Sequence, residues 1–448
     1  MPSERDDRPD RPGAEPLEDT TLPPLTPPEI TSPSLFARAG RFVIDVGPLR
    51  ASRQFRLLWT AESVSDVGVH ITDVAVAFQV FQITHSPLAV GLIGLCQLVP
   101  LLVLSVVGGT IADRVDRRRF LRGSFALFPL LPAALAANAL LPNPHLWVLY
   151  GIATLTGGFY ALVDPAIRSA PPLFFAREEL PAVFALSSIS HSFGALFGPA
   201  VGGVLIAAIG LPATFAIDAV AEVVALTAVV RMGPIPRVDG EHGPGFLQSL
   251  REGLRFLKGK PVLQSTFTFD LNAMIFGFPT ALFPAMAQRI GGGARTVGFL
   301  YAAPYAGALL ITIFSGRAKH VRRQGLAVML SIVAWGAFLV GFGLTTSLWV
   351  ALVMLAAAGT ADMWSGIFRT SIAQTVVPDE MRGRLSGIEL TVVASGPALG
   401  DIEAGTVASL VSVPFAIVSG GLACVAGVGI LGALVPQFAR YDARHPTP

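Results

Sequence analysis

The chain has 448 residues, of which 52% are hydrophobic and only 14% charged, and its mean hydropathy is +0.62. Soluble domains carry about 25% charged residues, so a soluble enzyme, a nucleic-acid-binding protein and a disordered protein are all disfavoured. The net charge of +2 is too close to neutral to indicate a polyanionic partner. The two cysteines, Cys96 and Cys424, lie in apolar runs, which predict neither a disulfide scaffold nor a cysteine zinc site. The composition indicates a polytopic membrane protein.

The first 33 residues differ from the rest, because nine prolines alternate with eight acidic residues and three arginines. This composition is typical of a disordered tail, and the basic start with an apolar core that marks a signal peptide does not occur in it. Residues 34–56 form a short basic stretch with Phe36 and Phe42, which predicts an interfacial helix. We therefore expect residues 1–52 to be a Pro-rich cytoplasmic tail with a short basic interfacial stretch.

From residue 57 onward, apolar segments of roughly 20 residues follow one another, the length that crosses about 30 Å of hydrocarbon. Twelve segments are predicted, at 57–83, 88–110, 121–141, 146–168, 184–208, 212–232, 263–287, 296–316, 325–344, 347–369, 386–409 and 413–435. Prolines within some of them are compatible with a helical bundle, since neighbouring helices can satisfy a freed carbonyl group. The predicted fold is an all-α polytopic membrane protein with twelve transmembrane helices.

The distribution of basic residues supports the count of twelve. If the N-terminus is cytoplasmic, only Arg289 and Arg295 of the 32 lysines and arginines fall on the outer side. The positive-inside rule requires such a bias, and one missed or added segment would invert the orientation of everything that follows. We therefore expect both termini to be cytoplasmic.

The chain divides into two similar halves. Arg168 is followed ten residues later by an acidic pair, and so is Arg369, while Val90-Gly91 in segment 2 corresponds to Val297-Gly298 in segment 8. Such matches predict a duplicated six-helix unit, as in the parallel repeats of secondary transporters. The predicted organisation is an N-terminal bundle over 53–232, a cytoplasmic linker over 233–262, a C-terminal bundle over 263–436 and a cytoplasmic tail over 437–448.

Two motifs rich in glycine stand out. The loop between segments 2 and 3 carries a glycine followed by an acid and arginines, at Gly109, Asp113, Arg114, Arg117 and Arg118. On charge alone this loop is equally well explained as a positive-inside anchor. Segment 5 carries small residues at helical spacing, at Gly194, Gly198, Pro199, Gly202 and Gly203. Ordinary close packing of helices in lipid is the alternative explanation for this second motif.

These motifs resemble motif A and motif C of the major facilitator superfamily. Asp164-Pro165-Ala166, the segment 377–384 and Leu399-Gly400-Asp401 are similar to the branch of the superfamily that holds the enterobactin exporter and macrolide-efflux proteins. The resemblance covers roughly residues 53–436. In one respect the chain departs from motif A, because Asp116 stands where the superfamily usually has glycine.

The resemblance implies a transporter with two pseudo-symmetric six-helix bundles that works by alternating access. It also implies export, since motif C is associated in the superfamily with exporters and antiporters. Asp113 would brace the inner end of segment 11 and hold the outward-open state. Motif C would bend segment 5 and seal it against its partner helix.

Segment 1 carries a polar stripe. Glu62, Asp66, His70 and Asp73 occupy an arc of about 80° on an ideal helix. An ionisable group in hydrocarbon costs several kcal/mol unless it faces an aqueous cavity or a partner, so we expect the stripe to face a central cavity. Loss of hydration favours the neutral form of a carboxyl group, which suits a proton carrier.

Further acidic residues lie within other segments. Asp270 on segment 7 is a candidate for proton coupling, as are Asp218 and Glu222 on segment 6. The alternative is that several of these acids only form interhelical hydrogen bonds or lie near lipid headgroups. Ion pairs at the inner gate are predicted at the ends of segments 4 and 10, with substrate contact as the second explanation, for Asp164 with Arg168 and for Asp362 with Arg369.

Other classes of membrane protein are less well supported. The sequence has no phosphate-binding Gly-x-x-x-x-Gly-Lys-[Ser/Thr] motif for an ATP-driven pump, and we predict no catalytic residues, no cofactor and no metal site. We expect a monomeric transporter in the bacterial cytoplasmic membrane, whose partners are a small-molecule substrate, protons and the lipid bilayer, and not a nucleic acid. The predicted function is export of a small amphipathic molecule, such as a drug, macrolide or siderophore-like compound, by proton antiport. An importer, a non-transporting receptor or scaffold, and an intramembrane enzyme remain as alternatives.

Overall fold

The computed structural model describes residues 45–114, 116–234, 246–312 and 315–444. The side chains of 106–114, 117, 246–247, 315, 317, 319, 379 and 386 are outside the described part of the chain. The described residues form helices, turns and short connections, and no β-strand occurs among them. The predicted disordered tail lies outside the described residues up to position 44.

Seven helices make up the N-terminal half. They are α1 Gly47–Ala51, α2 Arg53–Thr84, α3 Pro87–Arg114, α4 Arg117–Leu127, α5 Leu130–Ala139, α6 Leu146–Arg168 and α7 Leu180–Val230, with a 3₁₀ turn at Pro171–Leu173. Ser52 caps α2 by accepting a hydrogen bond from the amide of Phe55 at 3.2 Å. Asp116 caps α4 by accepting one from the amide of Arg119 at 2.9 Å. These caps satisfy amides that the first helical turn leaves without a partner.

Helix α7 contains two of the predicted segments. Its backbone departs from helical geometry at Gly210, where φ is +81°, two residues before Pro212. Glycine adopts positive φ without steric cost, and proline cannot continue the preceding hydrogen-bonding pattern. Segments 5 and 6 are therefore two helices that meet at a sharp kink at Gly210, and α7 denotes both of them. The motif C residues keep helical geometry, since Gly210 is the one non-helical position in α7.

Nine helices make up the C-terminal half. They are α8 Phe246–Leu257, α9 Pro261–Phe276, α10 Phe283–Arg289, α11 Ala294–Thr312, α12 Gln324–Leu344, α13 Leu348–Val376, α14 Asp379–Leu410, α15 Val413–Leu434 and α16 Pro436–Arg440, with 3₁₀ turns at Thr280–Leu282 and Ser315–His320. Segment 7 is interrupted between α9 and α10, where Gly277 and Pro279 fall. Helix α8 lies in the predicted linker and packs on α14, with Arg384 Nε 2.7 Å from Glu252 Oε2.

In the described residues, nine helices are long and apolar enough to cross a membrane. One of them is α7, which contains segments 5 and 6. Segment 7 is supplied by α9 and α10, and segment 11 is supplied by α14, which carries Asp401 and Glu403 in its apolar part. The prediction of an all-α polytopic fold is confirmed, and each of the twelve predicted segments corresponds to helix in the structure.

The start of α2 and the end of α7 lie together on one face of the molecule, and so do the start of α12 and α16. The amide of Gly233, after α7, donates to Gln54 Oε1 at the start of α2 at 2.9 Å. Gly325, at the start of α12, lies against the Phe438 backbone in α16. We call this side, which also carries α8, the linker face, and the side with the turn between α2 and α3 the opposite face.

The two halves contact each other through α7 with α11 and through α3 with α14. A Cβ atom on Gly203 or Gly298 would lie 2.8 Å from the other residue's Cα, so α7 and α11 approach as only glycine allows. A Cβ on Gly94 would lie 3.2 Å from the Cα of Ala398, which brings α3 close to α14. Both contacts lie toward the opposite face, because Gly203 and Ala398 precede the ends of their segments there.

Candidate functional site

The acidic stripe of α2 opens onto a cavity of about 480 Å³ within the N-terminal half. Helices α2, α6 and α7 all contribute ionisable side chains to its lining, namely Glu62, Asp66, Asp73, Asp164, Arg168, His191, Asp218 and Glu222. His70 is adjacent to this lining through its contacts with Asp73 and His191. The structure thus brings together all the predicted positions on segment 1 and, in addition, both acids of segment 6.

Motif C sets the distance between α7 and α2. A Cβ on Gly194 would strike the Asp66 carboxylate, and a Cβ on Gly198 would lie 2.6 Å from Cβ of His70. A Cβ on Gly202 would lie 3.2 Å from the backbone of Ile71. Small residues at this spacing let helix backbones approach closely in lipid. Motif C therefore packs α7 against the polar stripe on one side, and through Gly203 against α11 on the other.

This approach brings His191 of α7 to the acids of α2. Its Nδ1 lies 3.1 Å from Asp66 Oδ1. His191 is not among the predicted site residues, although it lies three and seven residues before Gly194 and Gly198 and so shares their helix face. That shared face was the signal in the sequence that could have identified it.

His70 connects this pair to the other acids and to the second half of the molecule. Its Nδ1 lies 3.9 Å from Asp73 Oδ2, and its ring centroid lies 5.9 Å from that of His191. The donor atoms of Asp66, His70 and His191 all lie within 4.8 Å of one another. The ring of Tyr305, on α11, has its centroid 6.4 Å from that of His70. A row of ionisable and aromatic side chains thus extends from the cavity toward α11 of the second half.

Two acids of α7 are buried against α2. Asp218 and Glu222 are 2% and 3% exposed. Thr72 donates to Asp218 Oδ2 at 2.5 Å, and Ser65 donates to Glu222 Oε1 at 2.7 Å. The second oxygen of each carboxyl group, like Oδ2 of Asp66, is buried and accepts no hydrogen bond from the described residues.

The predicted ion pair of α6 is present at the linker-face end of the cavity. Arg168 Nε donates to both carboxylate oxygens of Asp164, at 2.8 and 2.7 Å. The side chain of Arg168 is 76% exposed. Its guanidinium charge is therefore offset by Asp164 and by solvent.

The corresponding pair of the C-terminal half is arranged differently. Arg369 of α13 forms its close ion pair with Asp270 of α9, and its Nη2 lies 3.9 Å from Asp362. The side chains of Arg369 and Asp270 are 16% and 9% exposed. Asp270 is thus placed beside Arg369, and it is not among the residues that line the cavity of the N-terminal half.

Asp401 of α14 stabilises the interruption in segment 7. Its carboxylate accepts hydrogen bonds from the Thr280 hydroxyl at 2.7 and 2.8 Å and from the amide of Ala281 at 2.8 Å. Tyr301 donates to the backbone oxygen of Thr280 at 3.0 Å. These bonds replace the helical hydrogen bonds that the interruption removes.

Most of the side chains of motif A lie outside the described residues. Gly109, Asp113 and Arg114 lie in α3 and Arg117 opens α4, but their side chains belong to the part of the chain that is not described. Arg118 is partly buried, and its Nε has no hydrogen-bond partner among the described residues.

Apolar side chains form another wall of the cavity. Phe125 and Phe128 of the segment 3 region contribute aromatic rings, and Tyr160 and Phe184 complete the wall from α6 and α7. Acidic groups on one side and aromatic groups on the other suit an amphipathic ligand.

A bundle of membrane-spanning helices with a polar cavity in its N-terminal half is typical of a secondary transporter of the major facilitator type. A family model described as "Transmembrane secretion effector" matches residues 45–445. The chain belongs to this family of the major facilitator superfamily, whose members are transporters and not enzymes.

Relatives and solved structures agree with this assignment. The chain is 30% identical over 410 residues to the enterobactin exporter EntS of Shigella boydii and to that of Escherichia coli, which covers 90% of this chain and 97% of each relative. It is similar in structure to the nucleoside transporter NupG, with a TM-score of 0.66, 13% identity and coverage of 86% of this chain and 98% of that one.

A bacterial homologue of the lysosomal transporter Spinster, in an inward-facing and unoccupied conformation, aligns with a TM-score of 0.64, 16% identity and coverage of 86% and 96%. At these identities the two solved structures show the fold alone. The protein is therefore a multi-pass membrane transporter for a small molecule.

Proposed function

We propose that the protein exports a small amphipathic molecule, of drug, macrolide or siderophore-like type, across the bacterial cytoplasmic membrane by proton antiport. The observation that carries the proposal is the cavity of the N-terminal half, where Glu62, Asp66 and Asp73 face an aromatic wall. The similarity to enterobactin exporters over 90% of the chain supports export and a siderophore-like substrate.

Proton coupling is supported by the carboxyl oxygens that lack a donor. Oxygens of Asp66, Asp218 and Glu222 are buried and accept no hydrogen bond from the described residues. A buried carboxylate oxygen without a partner is costly, and protonation removes the charge that makes it so. The proposed proton carriers on segment 1 are Glu62, Asp66, His70 and Asp73, with Asp66 first because it pairs with His191.

Asp270 is proposed as a second coupling position. It holds Arg369, whose other acidic neighbour is Asp362 at 3.9 Å. A proton on Asp270 would remove its charge and leave Asp362 as the ionised partner of Arg369. The ion pair would then change partner without leaving a buried charge unpaired.

Alternating access is supported by where the halves meet. The contacts of Gly203 with Gly298 and of Gly94 with Ala398 lie toward the opposite face. The cavity lining extends to Arg168 and Pro171 at the linker face. With the linker face and both termini in the cytoplasm, substrate would enter there, and rocking of the halves would expose it outside. Motif A would brace the outward-open state through Asp113.

The test is transport in proteoliposomes with an acidic interior, using enterobactin and a macrolide as separate substrates. Antiport predicts that at least one accumulates inside as protons leave, and that a protonophore abolishes the accumulation. Equal accumulation with and without the gradient would contradict proton coupling. No accumulation of either compound would contradict the proposed substrate types, and a matched measurement without protein corrects for leakage.

A further inference from the structure

Acidic side chains outnumber basic side chains in the described lining of the cavity. Six carboxyl groups line it, on Glu62, Asp66, Asp73, Asp164, Asp218 and Glu222. Arg168 is the one guanidinium among the described lining residues, and the lining includes no lysine. Since Arg168 already binds Asp164 through both carboxylate oxygens, five carboxyl groups remain without a guanidinium or ammonium partner in the described lining.

Hydrogen bonds offset these five groups only in part. Asp218 and Glu222 each accept one bond from a hydroxyl group of α2, and Asp66 contacts His191. Asp73 has a hydrogen bond to Gln97 and lies 3.9 Å from His70, and the basic side chain that acts on Glu62 is Arg168, which is already bound to Asp164. Hydroxyl groups carry no charge, so the wall formed by α2 and α7 favours a positive group, as a cleft lined by one sign of charge does.

The cavity also has an apolar wall, which is distinct from the acidic wall formed by α2 and α7. Phe125, Phe128 and Tyr160 line it together with aliphatic residues. Aromatic faces also attract cations, whereas they repel anions. A ligand that fits both walls carries positive charge at one end and an apolar body at the other.

We propose that the substrate of this cavity is a cationic amphipathic compound, whose positive charge lies between Glu62, Asp66 and Asp73 and whose apolar body lies against Phe125, Phe128 and Tyr160. The inference rests on the proposed transport function and narrows its substrate class. A bound cation takes the place of protons at these carboxyl groups, so one set of side chains serves substrate and coupling ion in turn.

The same arrangement excludes anions. An anion of equal size would place its charge beside the carboxylates of this cavity, and like charges repel. No free guanidinium or ammonium group in the described lining would compensate it. Discrimination by the sign of the charge, at constant shape, is therefore the property that distinguishes this proposal.

The experiment compares tetraphenylphosphonium with tetraphenylborate, which have nearly the same shape and opposite charge. Equilibrium binding is measured on the purified full-length protein in detergent, with the detergent alone as blank. We expect the cation to bind at least about tenfold more tightly than the anion. The triple variant E62Q/D66N/D73N should lose about tenfold in affinity for the cation and none for the anion.

The control variant is E403Q, which removes a carboxylate of α14 that does not line the cavity. It should bind the cation as the parent does, and thermal unfolding checks that the triple variant is folded. A triple variant that fails to fold is replaced by the single E62Q and D66N variants, each expected to weaken cation binding several-fold.

Equal binding of the two ions, or unchanged cation affinity in the folded triple or single variants, overturns the proposal. Gradient-driven transport of enterobactin with no binding of the cation would also overturn it while leaving the proposed export function intact. Charge-selective binding without any gradient-driven transport would contradict the export function and not the cation site.

Discussion

The two halves of this transporter are both built of helices, and they differ in how far their buried charges are paired within the protein. The repeat predicted from the sequence makes Arg168 and Arg369 equivalent, yet their side chains are 76% and 16% exposed. In the N-terminal half six acids line a cavity, and Asp164 is the one among them that pairs with a guanidinium group of the described lining. In the C-terminal half Asp270 pairs with Arg369, and Asp401 accepts hydrogen bonds from the hydroxyl of Thr280 and the amide of Ala281.

The difference shows how a duplicated scaffold can divide its tasks. Charges that are compensated within the protein hold helices together, whereas charges left without a partner are available to ligands and protons. We therefore expect substitutions of the acids in the N-terminal cavity to change transport, and substitutions that remove the partners of Asp270 and Asp401 to change stability.

The largest effect is expected for Asp66→Asn. The amide cannot carry a proton, so gradient-driven transport in proteoliposomes should fall to the level of protein-free vesicles, while thermal unfolding in detergent stays close to that of the parent. The control E403Q should transport normally. Undiminished transport by the Asp66 variant would assign coupling to another group and leave the fold assignment unaffected.

Arg369→Ala should strongly destabilise the C-terminal half. It leaves the buried carboxylate of Asp270 without its partner, and breaking a buried ion pair in this way costs about 3–5 kcal/mol in the free energy of unfolding. The measurement is denaturant or thermal unfolding in detergent. Because the double variant R369A/D270N removes both charges, it should recover part of the loss, and no recovery would contradict the pairing.

Gly298→Ala tests the contact between the halves. The added methyl group would lie 2.8 Å from the Cα of Gly203, and overpacking of this kind costs about 1–3 kcal/mol. Gly293→Ala is the matched control, since nothing lies within 4 Å of its added Cβ. Equal unfolding temperatures of the two variants would show that the glycine contact does not hold the halves together.

Thr280→Val tests the interruption in segment 7. The substitution removes the hydroxyl that donates to Asp401, and loss of a hydrogen bond to a charged acceptor costs about 1.5–3 kcal/mol when it leaves that acceptor buried. We expect about 1–2 kcal/mol, since the amide of Ala281 still binds Asp401. Thr406→Val, whose hydroxyl bonds only to the backbone oxygen of Ile402, should change stability far less.

Arg168→Ala should have the smallest effect on stability. Its ion pair with Asp164 is largely exposed, and pairs of this kind contribute about 0–1 kcal/mol. The measurement is the same unfolding experiment as for Arg369→Ala. Similar losses from the two arginine substitutions would falsify the contrast between the halves.

Much of the fold could be predicted from the sequence, because membrane-spanning helices are recognised by their length and their apolar composition. The sharp kink at Gly210, which joins the helices of segments 5 and 6 without a longer loop, could not, since the positive φ of this glycine depends on how the flanking segments pack. The interruption of segment 7 was also not predicted, because Asp401, which satisfies its freed groups, is 121 residues away from Thr280.

The candidate site was predicted in part. The period of a helix is enough to place Glu62, Asp66, His70 and Asp73 on one face. The helical period does not show which partner each acid has, because the partner lies on another helix. Asp66 pairs with His191, 125 residues away, and Asp270 pairs with Arg369.

The sequence alone determined that this protein crosses the membrane repeatedly, that it consists of two related halves and that one helix carries an acidic stripe. These properties follow from hydropathy and helical period, which act within a segment. Tertiary structure alone decided which charges are compensated and which remain open to the cavity. The physical reason is that compensation requires two groups within about 4 Å, and only the packing of helices distant in sequence sets that distance.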